Sequence, residues 1–499
     1  MPSQNALETH NEKHSPTTAT TQQETAPSDE SIPYSAFTRR QTFVIILSIA
    51  VAGFSSPFTA FVYFPALHSI ASDFGVSIEL INITVTVYLI VQGLVPPILG
   101  DLSENHGRRP VYLAIFAIYC GASIGLALQR DYAALLVLRM LQSAGSSGTI
   151  ALAYGVIGDI AAPHERGKYV GISVVGFNSA PALGPVVGGL IADRAGWPWI
   201  FVFLAIFSGV LLVFLAFFLP ETSRTIVGNG SVPPSGINKT IAQYLSQGST
   251  GTPKRNVRLQ VPNIMPCLKL IFHKNTFPVL LSNATFYMMY SCLQATLAPL
   301  LQRLYGLTPL QAGLCYLSYG VAGAVASYVI GLITDRDYRI TAKQHNFSID
   351  RLRGDDILHF PIEKARLRSI WVYITLCSVS TIGYGWTLAA HTHLSVPLIL
   401  QFIIGFTVVG VFNLSNTLIV DVHPSQPVTA SASVSITRCL IAAGGVAVVE
   451  VLLNGVGPGW TFTIIGGLCL ATLPVFWLVR ERGWDWRKTI AAKEQDSRP

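Results

Sequence analysis

GDLSENHGRRP, residues 100–110, is the stretch of this sequence that decides the fold. Apolar runs flank it on both sides, LINITVTVYLIVQGLVPPIL before it and VYLAIFAIYCGASIGLAL after it. A charged turn between two such runs is typical of two membrane-crossing helices that are joined at the membrane surface. Its charged or titratable side chains are Asp101, Glu104, His106, Arg108 and Arg109.

The composition indicates a lipid environment for the rest of the chain as well. Of the 499 residues, 51% are hydrophobic and only 12% are charged, whereas soluble proteins have roughly 25% charged residues. A helix needs about 20 apolar residues to cross the hydrocarbon core. Segments of that length predict twelve spans, at 41–66, 80–99, 110–128, 133–158, 168–192, 197–219, 277–303, 311–334, 369–390, 396–420, 428–451 and 459–479.

The spans fall into two sets of six. The first residues are rich in Thr, Ser, Gln and Pro, which predicts a disordered tail that cannot bury a core and is not a signal peptide. The predicted organisation is a tail at 1–38, a half at 39–219, a polar linker at 220–276, a half at 277–480 and a tail at 481–499.

The charges predict the orientation in the membrane. If the loops alternate between the two sides, the side with both termini holds 28 of the 33 Lys and Arg residues. The opposite side holds Arg130, Arg194 and Arg303, and Arg139 and Arg438 lie inside spans. This bias places both termini in the cytosol, so the net charge of +7 indicates topology and no nucleic-acid partner.

The charged turn resembles the signature between helices two and three of the major facilitator superfamily. Glu104 stands where that family usually has Asp, and Asn105 stands where it usually has Arg. The resemblance implies a latch, in which Glu104 caps the other half near Val428 and Arg108 pairs with Asp159 at the end of span four. The matching positions are Gly100, Leu102, Ser103, Gly107, Arg108 and Arg109.

Other stretches strengthen this resemblance. LRMLQSAGSSG (138–148) is similar to the helix-four motif, although Ser143 replaces a Gly, and LPETSR (219–224) resembles the end of helix six in fungal drug:proton antiporters. GLITDRD (331–337) is a weaker copy of the charged turn, and Asp421 matches Asp159. GFNSAPALGPVVGG (176–189) resembles the helix-five antiporter motif through Gly176, Gly184, Pro185, Gly188 and Gly189.

The resemblance covers about residues 40–490. It implies an all-α membrane protein with twelve transmembrane helices in two pseudo-symmetric six-helix halves, and a monomer. The nearest subgroup is the fungal twelve-span drug:proton antiporters of the quinidine-resistance type, which also resemble fungal citrate exporters.

Polar residues inside spans predict the transport cavity, because a charge in the membrane is costly unless it serves a function. Arg139 begins one polar stripe at helical spacing and Arg438 ends another. The alternative for each is a structural arginine satisfied by backbone carbonyls. The cavity candidates are Arg139, Gln142, Asn283, Tyr287, Tyr290, Gln294, Gln401, Asn413 and Arg438.

These features predict a secondary exporter of small amphipathic drugs, toxins or metabolites at the plasma membrane, driven by protons according to the resemblance. The alternative is an exporter of small organic acids such as citrate, since two buried arginines suit carboxylates. No Walker motif, catalytic constellation or metal-ligand spacing appears, so an enzyme, a cofactor and a metal are not expected. No carboxylate lies in the middle of spans one, four, seven or ten, which leaves Glu450 or the substrate itself to carry the proton.

Overall fold

The computed structural model describes residues 35–161, 163–234, 236–241, 264–345, 360–423 and 427–496. The predicted N-terminal tail and residues 242–263 of the linker lie outside these ranges. The described part is helical throughout. We call the membrane side that carries the linker the linker side, and the opposite side the far side.

The first half contains six spans, each built on an apolar helix. Thr38 caps the first helix through a capping box with Gln41. A 3₁₀ turn, Phe64–Ala66, and a short helix, Leu67–Phe74, follow span 1 on the far side. The spans are Arg39–Phe61 (1), Ile78–His106 (2), Arg108–Leu128 (3), Tyr132–Ser146 with Thr149–Ile160 (4), Pro163–Arg194 (5) and Pro198–Phe218 (6).

The second half repeats this pattern. Short helices Met265–Ile271 and Ile362–Arg366 precede spans 7 and 9 on the linker side. Spans 11 and 12 follow each other in Pro427–Leu470, where Gly457 breaks the helical geometry at φ 79°. The other spans are Phe277–Tyr305 (7), Pro309–Gln344 (8), Ile370–Ala389 (9) and Ser395–Val422 (10), and span 12 continues into Leu473–Asp496.

The structure shows two features that the predicted spans and tail do not specify. Span 4 is two helices, because the weak helix formers Ser147 and Gly148 interrupt it. The predicted tail from 481 is helical to Asp496, since Arg487 is buried against the Glu363 carboxylate and the Phe360 carbonyl.

Eight described segments are long and apolar enough to cross a membrane by length and composition alone. They correspond to nine predicted spans, because one segment, 429–489, contains both span 11 and span 12. The remaining three are spans 4, 7 and 9, whose sequences are broken or more polar. Spans 4 and 7 contribute polar side chains to the cavity described below, which explains their weaker apolar signal.

The two halves meet mainly through two helix pairs, span 5 with span 8 and span 2 with span 11. Two hydrogen bonds also join the halves on the far side. Gln302 donates to the Pro65 carbonyl at 3.0 Å, and Asn454 donates to Glu79 at 2.6 Å. These bonds close the far side of the molecule.

The glycine motif of span 5 lies within this closure. A Cβ at Gly189 would lie 2.5 Å from the Pro309 carbonyl oxygen of span 8. One at Gly188 would overlap the carbonyl of Val62, which follows span 1 in the same half. Toward the linker side spans 5 and 8 instead line the central cavity described below, through Asn178 and Ser327. A Cβ at Gly171 or Gly331 there would meet no described atom within 4 Å. The molecule is therefore closed on the far side and open on the linker side.

Candidate functional site

A central cavity of about 290 Å³ lies between the two halves. Spans 1, 2, 4 and 5 of the first half and spans 7, 8, 10 and 11 of the second half line it. Spans 3, 6, 9 and 12 contribute none of its described wall. This arrangement gives each half an equal share of the site.

Arg139 of span 4 is the most enclosed cation of the wall, at 1% exposure. Its guanidinium lies between the rings of Tyr63 and Tyr88, with its central carbon 4.1 Å and 4.5 Å from the ring centroids. One terminal nitrogen donates to Gln142 at 2.6 Å, while Nε is buried and has no hydrogen-bond partner in the described part of the chain. Aromatic faces thus stabilise this charge.

Arg438 of span 11 is held more loosely. It is partly exposed to the cavity, and its guanidinium lies 4.9 Å from the Tyr287 ring centroid. Its Nε is also buried, with no hydrogen-bond partner among the described residues. A ligand can supply the acceptor that Nε of each arginine lacks.

Aromatic rings form much of the remaining surface. Tyr290 stacks on Tyr319 at 5.0 Å and meets Phe412 edge-on at 6.3 Å. Phe61 approaches Tyr290 from the other half at 6.2 Å. Such surfaces bind flat or apolar ligand groups well.

Unsatisfied carboxamides add hydrogen-bonding capacity. Gln294 is 1% exposed, and neither atom of its amide has a hydrogen-bond partner among the described residues. Gln92 Oε1 is similarly unpaired, and Gln92 lies beside Gly93, which packs against Cys439 next to Arg438. These groups can donate to and accept from a bound molecule.

The charged side chains of the described cavity wall are all positive. Its described lining residues include two arginines and no Asp, Glu, Lys or His. Within the described chain neither arginine takes part in an ion pair. The cavity therefore presents two uncompensated positive charges in an aromatic surround.

The structure brings most of the predicted cavity residues together. Three do not line the cavity. Gln142 supports Arg139 from behind, and Asn283 donates to Asn416, which does line it, at 3.3 Å. Gln401 is fully buried nearer the far side, away from the wall, because that face of span 10 packs against protein. The predicted residues that line the cavity are Arg139, Tyr287, Tyr290, Gln294, Asn413 and Arg438.

Sequence reasoning missed several wall residues. Tyr88 and Gln92 of span 2 lie one turn apart among apolar neighbours, so their spacing was the available signal. Tyr319 and Phe412 look like ordinary packing residues in sequence, and only tertiary structure places them at Tyr290.

On the linker side, the predicted contact between Arg108 and Asp159 is present, with Nε 3.0 Å from Oδ2. Glu104 is 3.8 Å from Arg108, and its side chain is 54% exposed. The predicted approach of Glu104 to Val428 concerns a side chain outside the described residues. An open linker side accounts for the exposure of Glu104.

Glu221, at the start of the predicted polar linker, completes this turn. Its buried carboxylate accepts from the backbone N–H groups of Arg108 at 2.8 Å and Arg109 at 3.3 Å, and so caps span 3. Burial raises the pKa of the Glu221 carboxyl, while bonds from four backbone N–H groups oppose the shift. In return, Arg109 donates to the carbonyls of Leu219 and Ala216 at the end of span 6.

Gly107 is required by this contact, whereas Gly100 is not. Gly107 has φ of 105°, and a Cβ there would collide with the Glu221 carboxylate. A Cβ at Gly100 would meet no described atom within 4 Å, so no described contact requires a glycine there.

The second half has its own version of the turn. Arg366, just before span 9, contacts Asp421 at the end of span 10 at 2.9 Å. Glu363, also just before span 9, contacts Arg487 in the C-terminal part of the span 12 helix at 3.1 Å. In both halves the start of the third helix is thus bound to the ends of the fourth and the sixth helices.

Comparison with known proteins agrees with this architecture. The profile of the Major Facilitator Superfamily matches residues 49–446. The chain belongs to the major facilitator superfamily. Transport of small molecules across membranes is the general activity of that superfamily.

Individual relatives cover nearly the whole chain. The MFS-type transporter phiD of a fungal species is 37% identical over 93% of this chain and 72% of that protein. Citrate exporter 1 of Aspergillus niger is 35% identical over 93% and 90%, and the MFS-type transporter tstD of Talaromyces stipitatus is 35% identical over 94% and 87%.

A solved structure has the same fold. The crystal structure of the human organic anion transporter MFSD10 (TETRAN) superposes with a TM-score of 0.57 at 18% identity, over 88% of this chain and 99% of that chain. At this identity the likeness concerns the fold alone.

Proposed function

We propose that the protein exports small amphipathic organic anions, such as acidic toxins or metabolites, from the cytosol in exchange for protons. The observation that carries the proposal is the central cavity, with two arginines, no acidic side chain among its described lining and aromatic walls. A carboxylate on the substrate accepts from Arg438, while an apolar or aromatic body packs on Tyr290 and Phe412.

The orientation follows from the charges of the loops. The linker side carries most of the Lys and Arg, so it is the cytosolic side. The open cavity then takes its substrate from the cytosol, and we place the protein in the plasma membrane. It acts as a monomer and not as an enzyme.

Alternating access gives the contacts between the halves their roles. Substrate binding neutralises the arginines and lets the halves approach on the linker side. There Glu104, beside the existing Arg108–Asp159 ion pair, completes the latch by meeting the second half. The far-side bonds from Gln302 to Pro65 and from Asn454 to Glu79 then separate. The substrate leaves on the far side.

Proton exchange needs a titratable group, and the described cavity wall has no carboxylate. Glu450 of span 11 is the candidate. It is 6% exposed, and it lies near Asn454 and Glu79 at the contact between the halves. A buried carboxyl in a span is a functional group by default.

The second candidate function is export of a small organic acid such as citrate. Two arginines and the similarity to Citrate exporter 1 favour it. The aromatic surface, which a small polar acid does not need, favours the first candidate.

Competition separates the two candidates. Uptake of a labelled aromatic monocarboxylate into inside-out vesicles is measured with excess citrate, with unlabelled aromatic acids or with a cationic drug. The proposal expects inhibition by aromatic acids only. Inhibition by citrate alone supports the second candidate, and inhibition by the cation alone contradicts both.

A further inference from the structure

The short helix Met265–Ile271 lies on the linker side just before span 7, and one of its faces is fixed to the protein. Cys267, Leu270 and Ile271 are buried at helical spacing. Ser433 of span 11 donates to the Cys267 carbonyl at 3.0 Å. This attachment point lies five residues before Arg438 of the central cavity.

The other face is apolar and exposed. Phe272 is 77% exposed, and Leu268 and Phe277 are each 39% exposed. The Phe272 and Phe277 rings stack at 6.2 Å. Exposed apolar area costs about 25 cal/mol per Å² in water, so this face is suited to the boundary of the membrane and not to the cytosol.

Cations surround this face. Lys269 and Lys274 are exposed, and Lys274 lies 5.4 Å from the Trp486 ring centroid. From the end of span 12, Lys488 lies 3.7 Å from the Trp484 ring centroid. Cations beside Trp are the usual anchors at a membrane surface. We call Leu268, Lys269, Phe272, Lys274 and Phe277, with the Trp486 ring, the interfacial patch.

The acidic groups of the adjoining span 12 end do not cancel this charge. Glu481 contacts Lys364 at 3.4 Å, and the buried Glu363 contacts Arg487. Asp485 is exposed in the same region, where Arg482 is exposed as well. Asp101 of span 2 also acts electrostatically on Cys267, at the buried face of the short helix. The exposed Lys269, Lys274, Arg482 and Lys488 outnumber Asp101 and Asp485, so the local excess of charge is positive.

We propose that the interfacial patch binds an anionic phospholipid of the linker-side leaflet. The phosphate and the acidic headgroup lie between Lys269 and Lys274, and an acyl chain lies along Leu268 and Phe272. The bound lipid holds the short helix against span 11, so it sets the position of the span that carries Arg438. The patch is separate from the central cavity, and the inference is independent of which substrate is carried.

Lipid binding to the full-length purified protein tests this inference. Phosphatidylserine and phosphatidylcholine with brominated acyl chains are each titrated in mixed micelles, and quenching of tryptophan fluorescence is followed. Inorganic phosphate is added as a competitor in a third arm. The test variant is Lys269→Gln/Lys274→Gln, and the control is Lys168→Gln/Lys343→Gln, which removes two exposed linker-side lysines elsewhere.

We expect phosphatidylserine to bind more tightly than phosphatidylcholine. Each lysine near an anionic lipid contributes about 1 kcal/mol, so the test variant should bind phosphatidylserine roughly ten- to thirtyfold more weakly. The control should bind it like the parent. Phe272→Ser, an exposed change that leaves the core intact, should reduce the binding of both lipids.

Three results would overturn the inference. The first is equal binding of the two lipids by the parent, and the second is an equal loss of phosphatidylserine binding in the test and control variants. The third is full displacement of phosphatidylserine by millimolar inorganic phosphate, which indicates a site for a free anion.

Discussion

At the scale of single residues, the two arginines of the central cavity differ in how firmly they are held. Arg139 is enclosed by Tyr63, Tyr88 and Gln142, whereas among the described aromatic rings Arg438 lies over the face of Tyr287 alone. The looser arginine has more freedom to follow a substrate. We therefore assign direct substrate contact to Arg438 and orientation of the site to Arg139.

Arg438→Ala should weaken substrate affinity by roughly ten- to a hundredfold, because a charge-assisted hydrogen bond contributes about 1.5–3 kcal/mol. Arg438→Lys should retain part of the affinity, since it keeps the charge but not the planar fork. Concentration-dependent transport, normalised to protein in the membrane, measures both. If Arg438→Ala transports like the parent, Arg438 does not bind substrate.

Arg139→Lys should lose more transport than Arg438→Lys, because an ammonium cannot lie flat between two tyrosine rings while bonding Gln142. The same transport assay ranks the two lysine variants. The reverse ranking would mean that the tyrosine enclosure of Arg139 has no role in transport.

Gly107→Ala should destabilise the protein by about 1–3 kcal/mol, since it combines a strained backbone with a collision at Glu221. Gly100→Ala is the matched control, because its added methyl meets open space. Thermal unfolding of the purified variants measures the difference. Equal melting temperatures for the two variants would remove the role given to the cap on span 3.

At the scale of elements, hydrophobicity locates the spans because each must match the thickness of the membrane. The membrane also makes the polar stripes that contain Arg139 and Arg438 recognisable in the sequence. A charged side chain inside a span is costly unless it faces the interior of the protein. Apart from the Arg108–Asp159 pair, which the family resemblance implies, contacts between side chains of different helices cannot be predicted from the sequence. Glu221 contacts the start of span 3, and Arg366 contacts Asp421, only once the helices have packed together. Tyr88 has no feature in the sequence that separates it from other residues of an apolar helix.

Span 5 controls the closure of the far side. Gly189→Ala should force spans 5 and 8 apart, because its methyl would lie 2.5 Å from the Pro309 carbonyl oxygen. A cysteine placed at Ser291, in the cavity wall, should then react faster with a membrane-impermeant thiol reagent added from the far side. Gly171→Ala, which meets open space, is the control. An unchanged reaction rate in Gly189→Ala would show that this contact does not close the far side.

At the scale of the whole molecule, each half has the same linker-side arrangement and each contributes one arginine to the cavity. We assign proton coupling to the contact between the halves near the far side, where Glu450 lies. Glu450→Gln should leave exchange of substrate down its own gradient intact but lower accumulation driven by a pH gradient. Exchange and accumulation are measured in the same vesicles. Accumulation equal to that of the parent would exclude Glu450 as the proton site.

The most direct test of the central claim is transport into inside-out membrane vesicles with an acidic lumen. The account predicts that a labelled aromatic carboxylate accumulates, that collapse of the pH gradient abolishes accumulation, and that Arg438→Ala prevents it while reaching the membrane normally. The account is contradicted if a cationic or uncharged amphiphile accumulates while organic anions are neither taken up nor compete with it for uptake.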